Sequence, residues 1–402
     1  MGSEMCIRDS SITVVLKIVA TDYATLSQLG DACRTAFDYQ KDLPEDITKL
    51  YFESENFEYD DDFQANGLYV LNQQYLAKVR RPSTAVITEF IFNIDTRITS
   101  STTTAITDFA LPLMSSGTYD FNVDWGDNTN DDITAYNQSE VTHRYTTGGE
   151  YKITISGDCQ KWEFNSLGDC VKMLDIENWG DLTINNPYAF KGCKNMTCSA
   201  TDSPTILGVT LYGTFRDCFS FNGDLSAWDV SSIIIFSQMF FNCVSFNKSL
   251  NNWDTRSMQT MDYILYNCNQ YNQDMDNWDT SRCTNMSTAL MSCSNFNGNV
   301  STWNTQFVTN MSQLFRSCYP INQDLSGWKI GAVTQAVNFM TTIDGLSTAN
   351  YDALLISWSQ QTPNSLSINF GGSKYTGGGT AEAARNTLIN TYGWTIIDGG
   401  TA

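Results

Sequence analysis

The chain has 402 residues, enough for two to four domains, and 44 acidic residues against 23 basic ones give it a formal charge of −21. This charge argues against nucleic acid or an anionic membrane surface as a partner, and no apolar run reaches the roughly eighteen residues of a membrane span. Only 17% of the residues are charged, while Asn, Ser and Thr are abundant, a composition typical of an extracellular or virion surface.

Residues 1–10, "MGSEMCIRDS", lack the apolar core of a secretion leader. The decapeptide is similar to translated adapter sequence at the ends of environmental assemblies. We therefore expect it to be an artefact or disordered, and the natural start to be missing.

Residues 11–82 have the pattern of a small α+β module. Strands are predicted at 11–20, at about 48–58 and at about 68–80. Between the first two, a helix capped by Thr21 or Asp22 would carry its apolar residues on one face; these are Leu26, Leu29, Cys33 and Phe37.

The order of these elements, with the segments "ATDYATLSQLGDACRTAF" and "LYFESENFEYDDD", resembles the tail-completion or neck proteins of tailed phages. The resemblance covers about seventy residues and implies attachment to other virion proteins. An unrelated α+β domain is the alternative.

Residues 84–160 follow a linker in which Pro82 ends the preceding strand. Five segments of short alternating strands are separated by turn residues, which is typical of a β-sandwich. They are "VITEFIFNID", "AITDFALPL", "YDFNVDWGD", "DITAYN" and "THRYTTGGEYKITISG".

The motifs "VDWGDNTND" and "VTHRYTTGGEYKITISG" resemble the immunoglobulin-like module of the polycystic-kidney-disease type. The resemblance implies a "WGDG" turn followed by a hairpin. Asn128 stands where that turn has Gly, and we expect it to adopt the left-handed backbone that Asn tolerates.

From residue 161 the chain repeats every twenty-five residues, the mark of a solenoid or array. Three residue types keep this step, and we predict that they form the repeat core. They are Trp228, Trp253, Trp278, Trp303 and Trp328; Cys193, Cys218, Cys243, Cys268, Cys293 and Cys318; and Asn222, Asn247, Asn272, Asn297 and Asn322.

Within one repeat, apolar residues before each Cys follow three-and-four spacing, which predicts a short helical or 3₁₀ turn. Segments such as "FNGDLSAWD" suit a turn and a short strand. One such unit cannot bury its apolar face, so neighbouring units must stack around a continuous core. A buried Trp there contributes roughly 5 kcal/mol before entropy is counted.

Residues 271–293, "YNQDMDNWDTSRCTNMSTALMSC", and residues 296–318, "FNGNVSTWNTQFVTNMSQLFRSC", resemble the repeat of BspA-like leucine-rich-repeat surface proteins. The resemblance implies a solenoid over 161–346, with an imperfect first coil before Cys193 and Trp179 near the repeat phase. Residues 347–402 would cap it, with a helix from about 349, a strand at "SLSINF", a second helix ending near Gly393 and a last strand at "WTIID".

The cysteines at equivalent repeat positions are expected about 8–10 Å apart, too far for disulfides. We read them as buried thiols that fill the core. Two pairs outside this ladder, Cys159 with Cys170 and Cys193 with Cys198, remain alternatives. A metal site is not expected, because the sequence has no CxxC pair and a single histidine.

Few residues are candidates for a catalytic or metal-binding role. Asp124, Asp127, Asp131 and Asp132 surround one turn, but they lack the spacing of an EF-hand, so a solvated acidic turn is favoured over a calcium site. His143 is expected to be a packed or hydrogen-bonded strand residue rather than a base.

Two polar features of the sequence have an alternative interpretation. The Asn row is interpreted as buried amides that bond turn backbones rather than as a ligand row. Carboxylate pairs able to hydrolyse glycans remain open, because the acidic residues are numerous and their arrangement in space is not readable.

The sequence thus predicts a mixed α/β multidomain chain: an α+β module, an immunoglobulin-like sandwich, a leucine-rich-repeat-like solenoid and an α/β cap. We expect a non-enzymatic recognition protein without cofactors, carried on a phage virion and binding a cell-surface glycan or protein. A bacterial adhesin that has lost its signal peptide and a polysaccharide-degrading enzyme on a solenoid scaffold are the alternatives.

Overall fold

The computed structural model describes residues 5–8, 11–20, 50–52, 56–59, 69–79 and 89–402. The chain divides into two compact units, Met1–Ile87 and Thr88–Ala402. The described residues form seventeen strands and two α-helices, so the protein is rich in β-structure.

The first unit contains one antiparallel sheet, in the order β1-β2-β5-β3, with β4 also paired to β5. Its strands are β1 (Met5–Arg8), β2 (Ser11–Ala20), β3 (Leu50–Phe52), β4 (Asn56–Tyr59) and β5 (Tyr69–Val79).

The first and last predicted strands of this unit are confirmed in β2 and β5. The strand expected at 48–58 is instead two strands, β3 and β4. Within residues 1–10, which are expected to be an artefact or disordered, Met5–Arg8 forms β1 and pairs with β2. The predicted helix with Leu26, Leu29, Cys33 and Phe37 lies outside the described residues.

The second unit begins with one six-stranded sheet and two two-stranded sheets. Their strands are β6 (Phe90–Asp95), β7 (Asp108–Ala110), β8 (Tyr119–Asp124), β9 (Asn130–Ile133), β10 (Thr142–Arg144), β11 (Glu150–Cys159), β12 (Met173–Asn178), β13 (Thr183–Ile184), β14 (Thr197–Cys198) and β15 (Thr205–Ile206). Each of the five segments predicted to contain strands contains at least one.

The larger sheet has six strands in the order β14-β12-β6-β11-β8-β9, and the smaller sheet pairs β7 with β10. A further two-stranded sheet pairs β13 with β15 in parallel. Phe92 of the larger sheet packs against Phe109 of the smaller one, with ring centroids 6.1 Å apart. Strand β12 joins this sheet by pairing with β6, so the sheet includes chain from both sides of residue 160.

The hairpin implied by "HRYTTGGEY" does not form. Strand β10 pairs with β7, whereas β11 pairs with β6 and β8 in the other sheet. The chain between them passes from one sheet to the other. Asn128 has a φ of 70°, which confirms the predicted left-handed turn.

Successive 25-residue coils of the repeat stack on one another in parallel. One parallel bridge joins each coil to the next, and the bridges are Thr210↔Ile235, Ile235↔Thr260, Thr260↔Asn285, Asn285↔Asn310 and Asn310↔Gln335. Residues 207–347 contain turns and these single bridges, with neither strand nor helix. The prediction of a strand and a helical or 3₁₀ turn in every coil is therefore wrong.

Backbone hydrogen bonding explains why the helical pattern is not a helix. In the coil before Cys243, the N–H groups of Phe236, Gln238 and Phe240 donate to carbonyls of the next coil. The N–H groups of Met239 and Phe241 donate three residues back within the coil. Gln238 and Asn242 have positive φ, and the same two positions do so in the other coils. Since an α-helix directs every interior N–H to its own fourth preceding carbonyl, these bonds exclude it.

Aromatic residues form the interior of the stack. Trp253 lies over Trp278, with ring centroids 6.4 Å apart, and Trp303 lies over Trp328 at 5.9 Å. The rings that precede the Asn row stack in the same way; they are Phe221, Phe246, Tyr271 and Phe296.

Two helices and two parallel strands complete the unit. They are α1 (Thr348–Ser359), β16 (Ser367–Asn369), α2 (Thr380–Asn390) and β17 (Thr395–Ile397), as the sequence predicts. The Ser347 hydroxyl accepts a hydrogen bond from the Asn350 N–H and so caps α1. Within the described part of the chain, no helix is both long and apolar enough to cross a bilayer.

Candidate recognition face

The tryptophans of the repeat are buried, with side chains at most 4% exposed. The indole nitrogens of four of them donate to a backbone carbonyl of the preceding coil, at 2.8–3.2 Å; these are Trp253, Trp278, Trp303 and Trp328. The indole nitrogen of Trp228 is buried without an acceptor. These residues therefore hold coils together and are not accessible to a ligand.

The repeat cysteines are buried free thiols, and Cys159, Cys170 and Cys198 are free as well. Neither alternative disulfide is present. From Cys218 to Cys318, each Sγ donates to a carbonyl of the preceding coil at 2.7–3.0 Å. Burial raises the pKa of the Cys293 thiol to about 12. Since the thiolate is the reactive form, the Cys293 thiol is unreactive at neutral pH.

The Asn row corrects the sequence interpretation. Asn222, Asn247, Asn272, Asn297 and Asn322 are exposed rather than buried. Each Oδ1 accepts a hydrogen bond from the backbone N–H twenty-five residues later. The distances are 2.8–2.9 Å where the donors are the N–H groups of Asn247, Asn272 and Asn297. The amide oxygen of each Asn therefore makes a bond between neighbouring coils. An exposed side chain can make it because the partner backbone lies at the same surface.

The acidic turn is bonded internally. The carboxylates of Asp124, Asp131 and Asp132 accept from Gly126, Trp125 and Asn122 respectively. Among the described residues, no group of three His, Cys, Asp or Glu side chains is placed to hold a metal ion.

His143 is a packed strand residue, as predicted. Its ring stacks on Trp125 at 4.7 Å, and its Nε2 lies 3.0 Å from Asp127 Oδ2. Burial raises the pKa of Asp127, but hydrogen bonds from Thr129 and His143 outweigh it and leave that pKa below its ordinary value. Together with the hydrogen bonds from Thr129 to Asp127, this pair holds the turn in place.

One column of partly exposed residues on the outside of the stack has a different composition from its surroundings. It contains one residue from each coil: Arg216, Phe241, Tyr266, Met291 and Arg316. The backbone carbonyls of all five residues accept a hydrogen bond from an N–H of the preceding coil, at 2.7–2.8 Å. The side chains of the column therefore begin at equivalent points of the stack.

We call this column, together with Tyr263 beside it, the aromatic strip. Phe241 stacks on Tyr266 with ring centroids 4.4 Å apart, and Tyr263 lies 5.9 Å from Tyr266. The Arg216 guanidinium lies 4.4 Å from the Phe241 ring centroid, in cation–π range. Stacking thus orders the exposed rings before any partner binds.

The same face continues towards the start of the stack. Tyr188 and Tyr212 meet edge to face at 5.2 Å, and Lys191 lies over the Tyr188 ring at 4.4 Å. Burial, with a further contribution from Tyr188, raises the pKa of the Tyr212 hydroxyl. The Tyr212 hydroxyl therefore remains a neutral hydrogen-bonding group at physiological pH.

Sequence reasoning missed the strip because it compared only positions that repeat identically. The strip residues keep the period of twenty-five but vary in type, as outward-facing residues do. The sequence signal that could have found the strip is a set of aromatic and basic residues at the 25-residue step, in a chain with few basic residues. Phe, Tyr, Met and Arg are the types enriched in protein interfaces, and the arrangement suits the binding of a partner.

The geometry defines a β-rich protein with a stacked repeat array and one ordered aromatic face. A family described as "Mycoplasma protein of unknown function, DUF285" matches residues 184–288 and again residues 271–375, together just under half of the chain. Both matches fall on the coils that carry the Trp and Cys ladders. No curated protein and no solved structure matches the chain.

Proposed function

We propose that the chain is a non-enzymatic surface-recognition protein whose repeat array presents the aromatic strip to a partner on a cell surface. The observation that carries the proposal is the strip itself, five in-register side chains that the backbone bonds between coils hold in position. Preorganised side chains lose less entropy on binding, which favours recognition.

The finer architecture belongs to the same proposal. Residues 84–160 would be an immunoglobulin-like sandwich of the polycystic-kidney-disease type, supported by two sheets in contact through Phe92 and Phe109. Residues 161–346 would be a BspA-like leucine-rich-repeat solenoid, supported by one parallel bridge for every coil from Thr210 to Gln335. Residues 347–402 would close its end.

A phage virion is the location we favour, with the N-terminal unit attached to other virion proteins. The free thiols support it, because virion proteins assemble inside the host cell, where thiols stay reduced. A bacterial cell-surface adhesin is the second candidate, supported by the BspA-like pattern of the repeats. Genes next to the coding sequence discriminate: tail or capsid genes support the first location, and an upstream signal peptide the second.

The function is tested by binding of the fluorescently labelled full chain to bacterial cells, in parallel with a glycan array. We expect saturable binding to cells of some strains. Absence of binding to any cell type contradicts the proposal. Shortened glycan chains after incubation would indicate the polysaccharide-degrading alternative instead.

A further inference from the structure

Two members of the Asn row are followed directly by glycine. They are Asn222, before Gly223, and Asn297, before Gly298. Both asparagines are exposed, whereas both glycines are buried. A Cβ at residue 298 would clash with the Gln273 carbonyl oxygen, and a Cβ at residue 223 would clash with the Cys198 side chain. The close approach of the preceding coil therefore requires glycine at both positions.

An Asn–Gly pair holds a nucleophile and an electrophile in neighbouring residues. The glycine nitrogen can attack the Asn Cγ, because no side chain on the glycine shields it. A bond forms between that nitrogen and Cγ, the bond from Cγ to Nδ2 breaks, and Nδ2 leaves as ammonia with the glycine amide proton. Water then opens the resulting succinimide ring at either carbonyl and gives aspartate or isoaspartate. Within residues 89–402, neither the Gly298 N–H nor Asn297 Nδ2 makes a hydrogen bond that would hold it back.

The hydrogen bonds at Oδ1 distinguish Asn297 from Asn222. Asn297 Oδ1 accepts from the Asn322 N–H at 3.0 Å and from Gln323 Nε2 at 2.9 Å. Among the described residues, Asn222 Oδ1 has one donor, the Asn247 N–H at 2.9 Å. Attack on Cγ places negative charge on Oδ1, and N–H donors already in position stabilise such charge. The second donor therefore favours the reaction at Asn297.

We infer that Asn297 is a site of spontaneous deamidation in the folded chain, with solvent water as the co-reactant. The aspartate product keeps an oxygen where Oδ1 stood, so it still accepts the Asn322 N–H. The isoaspartate product lengthens the backbone by one methylene carbon directly before Gly298, which packs closely against Gln273. Reaction at this site therefore adds a negative charge to the exposed Asn row and, in the isoaspartate form, disturbs the contact between two coils.

The test is peptide mapping by mass spectrometry of the full chain, incubated at mildly alkaline pH in buffer and in concentrated guanidinium chloride. Asn272 is the internal control, because it belongs to the same row but precedes Gln273. In the folded chain we expect Asn297 to convert at least about threefold faster than Asn222 and at least about tenfold faster than Asn272. In the denatured chain the donors at Oδ1 are lost, and Asn222 and Asn297 should convert at similar rates.

Two matched variants isolate the contribution of the second donor. Gln323→Met removes the side-chain N–H at Asn297, and Gln273→Met removes the equivalent donor at Asn247, which is 3.0 Å from its acceptor. Gln323→Met should slow the conversion of Asn297 at least about threefold and leave that of Asn222 unchanged. Gln273→Met should change the rate at Asn297 by less than about twofold.

The inference is overturned if Asn297 does not convert in the folded chain, if it converts no faster than Asn222, or if Gln323→Met leaves its rate unchanged. An equal ratio of the two rates in folded and denatured chain also overturns it, because the local sequence alone would then set the reactivity. Circular dichroism checks that Gln323→Met folds, and the comparison of folded with denatured original chain does not depend on that variant.

Discussion

The indole nitrogen of Trp253 lies 2.9 Å from the backbone carbonyl oxygen of Leu225 in the preceding coil, and both atoms are buried. Trp278, Trp303 and Trp328 repeat this bond, while the Trp228 indole nitrogen has no acceptor. Residues at equivalent positions of the repeat thus differ in how well their polar atoms are bonded. Equivalent residues of other coils therefore serve as controls for measuring how much these bonds contribute to the free energy of unfolding.

Replacing tryptophan by phenylalanine should be more damaging at Trp253 than at Trp228. Both variants lose ring area, but Trp253→Phe also breaks a buried hydrogen bond, whereas Trp228→Phe removes an unsatisfied donor. We expect the free energies of unfolding to differ by about 1–3 kcal/mol, measured by urea denaturation. Equal losses in the two variants would contradict the assigned role of the indole bond.

Tyr271→Phe should stabilise the protein by about 1 kcal/mol. Tyr271 stands where three other coils have Phe221, Phe246 and Phe296, and its hydroxyl is buried without a hydrogen-bond partner. Removing it removes a desolvation penalty and leaves the ring stack unchanged. The reverse substitution, Phe246→Tyr, is the control and should destabilise by about 1–3 kcal/mol in the same urea titration.

Lys172→Met should destabilise the protein by about 3–5 kcal/mol. Lys172 and Asp169 form a fully buried ion pair at 3.2 Å, and Lys172 also donates to carbonyls of Ala105 and Asp108. Methionine keeps the volume but leaves the carboxylate without its counter-charge. The exposed pair of Arg256 and Asp254 provides the comparison, and Arg256→Met should have little effect on the free energy of unfolding. Similar losses in the two variants would exclude a special role for burial.

The Asn row tolerates aspartate but not alanine. Asn272 Oδ1 accepts the backbone N–H of Asn297 at 2.8 Å, and a carboxylate oxygen can accept the same bond. Asn272→Ala should therefore cost about 1 kcal/mol, and Asn272→Asp less than half of that at a salt concentration that screens charge repulsion. Thermal or urea unfolding distinguishes these values, and an equally damaging Asp substitution would show that the amide nitrogen matters instead.

Stability should fall steeply above pH 9. Burial raises the pKa of Cys159, Cys198, Cys283 and Cys293 from 9.0 to about 12. Because the pKa of each thiol is higher in the folded chain, the thiol loses its proton first in the unfolded chain. The stability that the buried neutral thiols contribute is therefore complete below pH 9 and is lost as the pH rises towards 12. Each such thiol removes up to about 1.4 kcal/mol per pH unit.

The measurement is urea unfolding between pH 7 and pH 10 in the presence of a reductant. Replacing Cys293 by Ala removes one titrating group, and its pH dependence should be shallower than that of the original chain. A stability that stays constant up to pH 10 would mean that the thiols are not buried in the folded chain.

The sequence by itself determined the 25-residue period, the burial of Trp228 and its equivalents, the free cysteines and the helix-strand-helix-strand order of the last fifty-five residues. These properties follow from residue type and spacing, because apolar side chains that recur at one step must share one interior. The left-handed turn at Asn128 was likewise readable, since few residue types tolerate that backbone.

Only the tertiary structure decided where the backbone hydrogen bonds go. The pattern around Phe236 and Phe240 fits a helix locally, yet alternate N–H groups bond the next coil, which no single coil can reveal. The same holds for the exposed Asn row, for β10 and β11 in separate sheets, and for the aromatic strip. Each depends on which atoms of distant residues become neighbours, and that is a property of the stacked chain rather than of any one repeat.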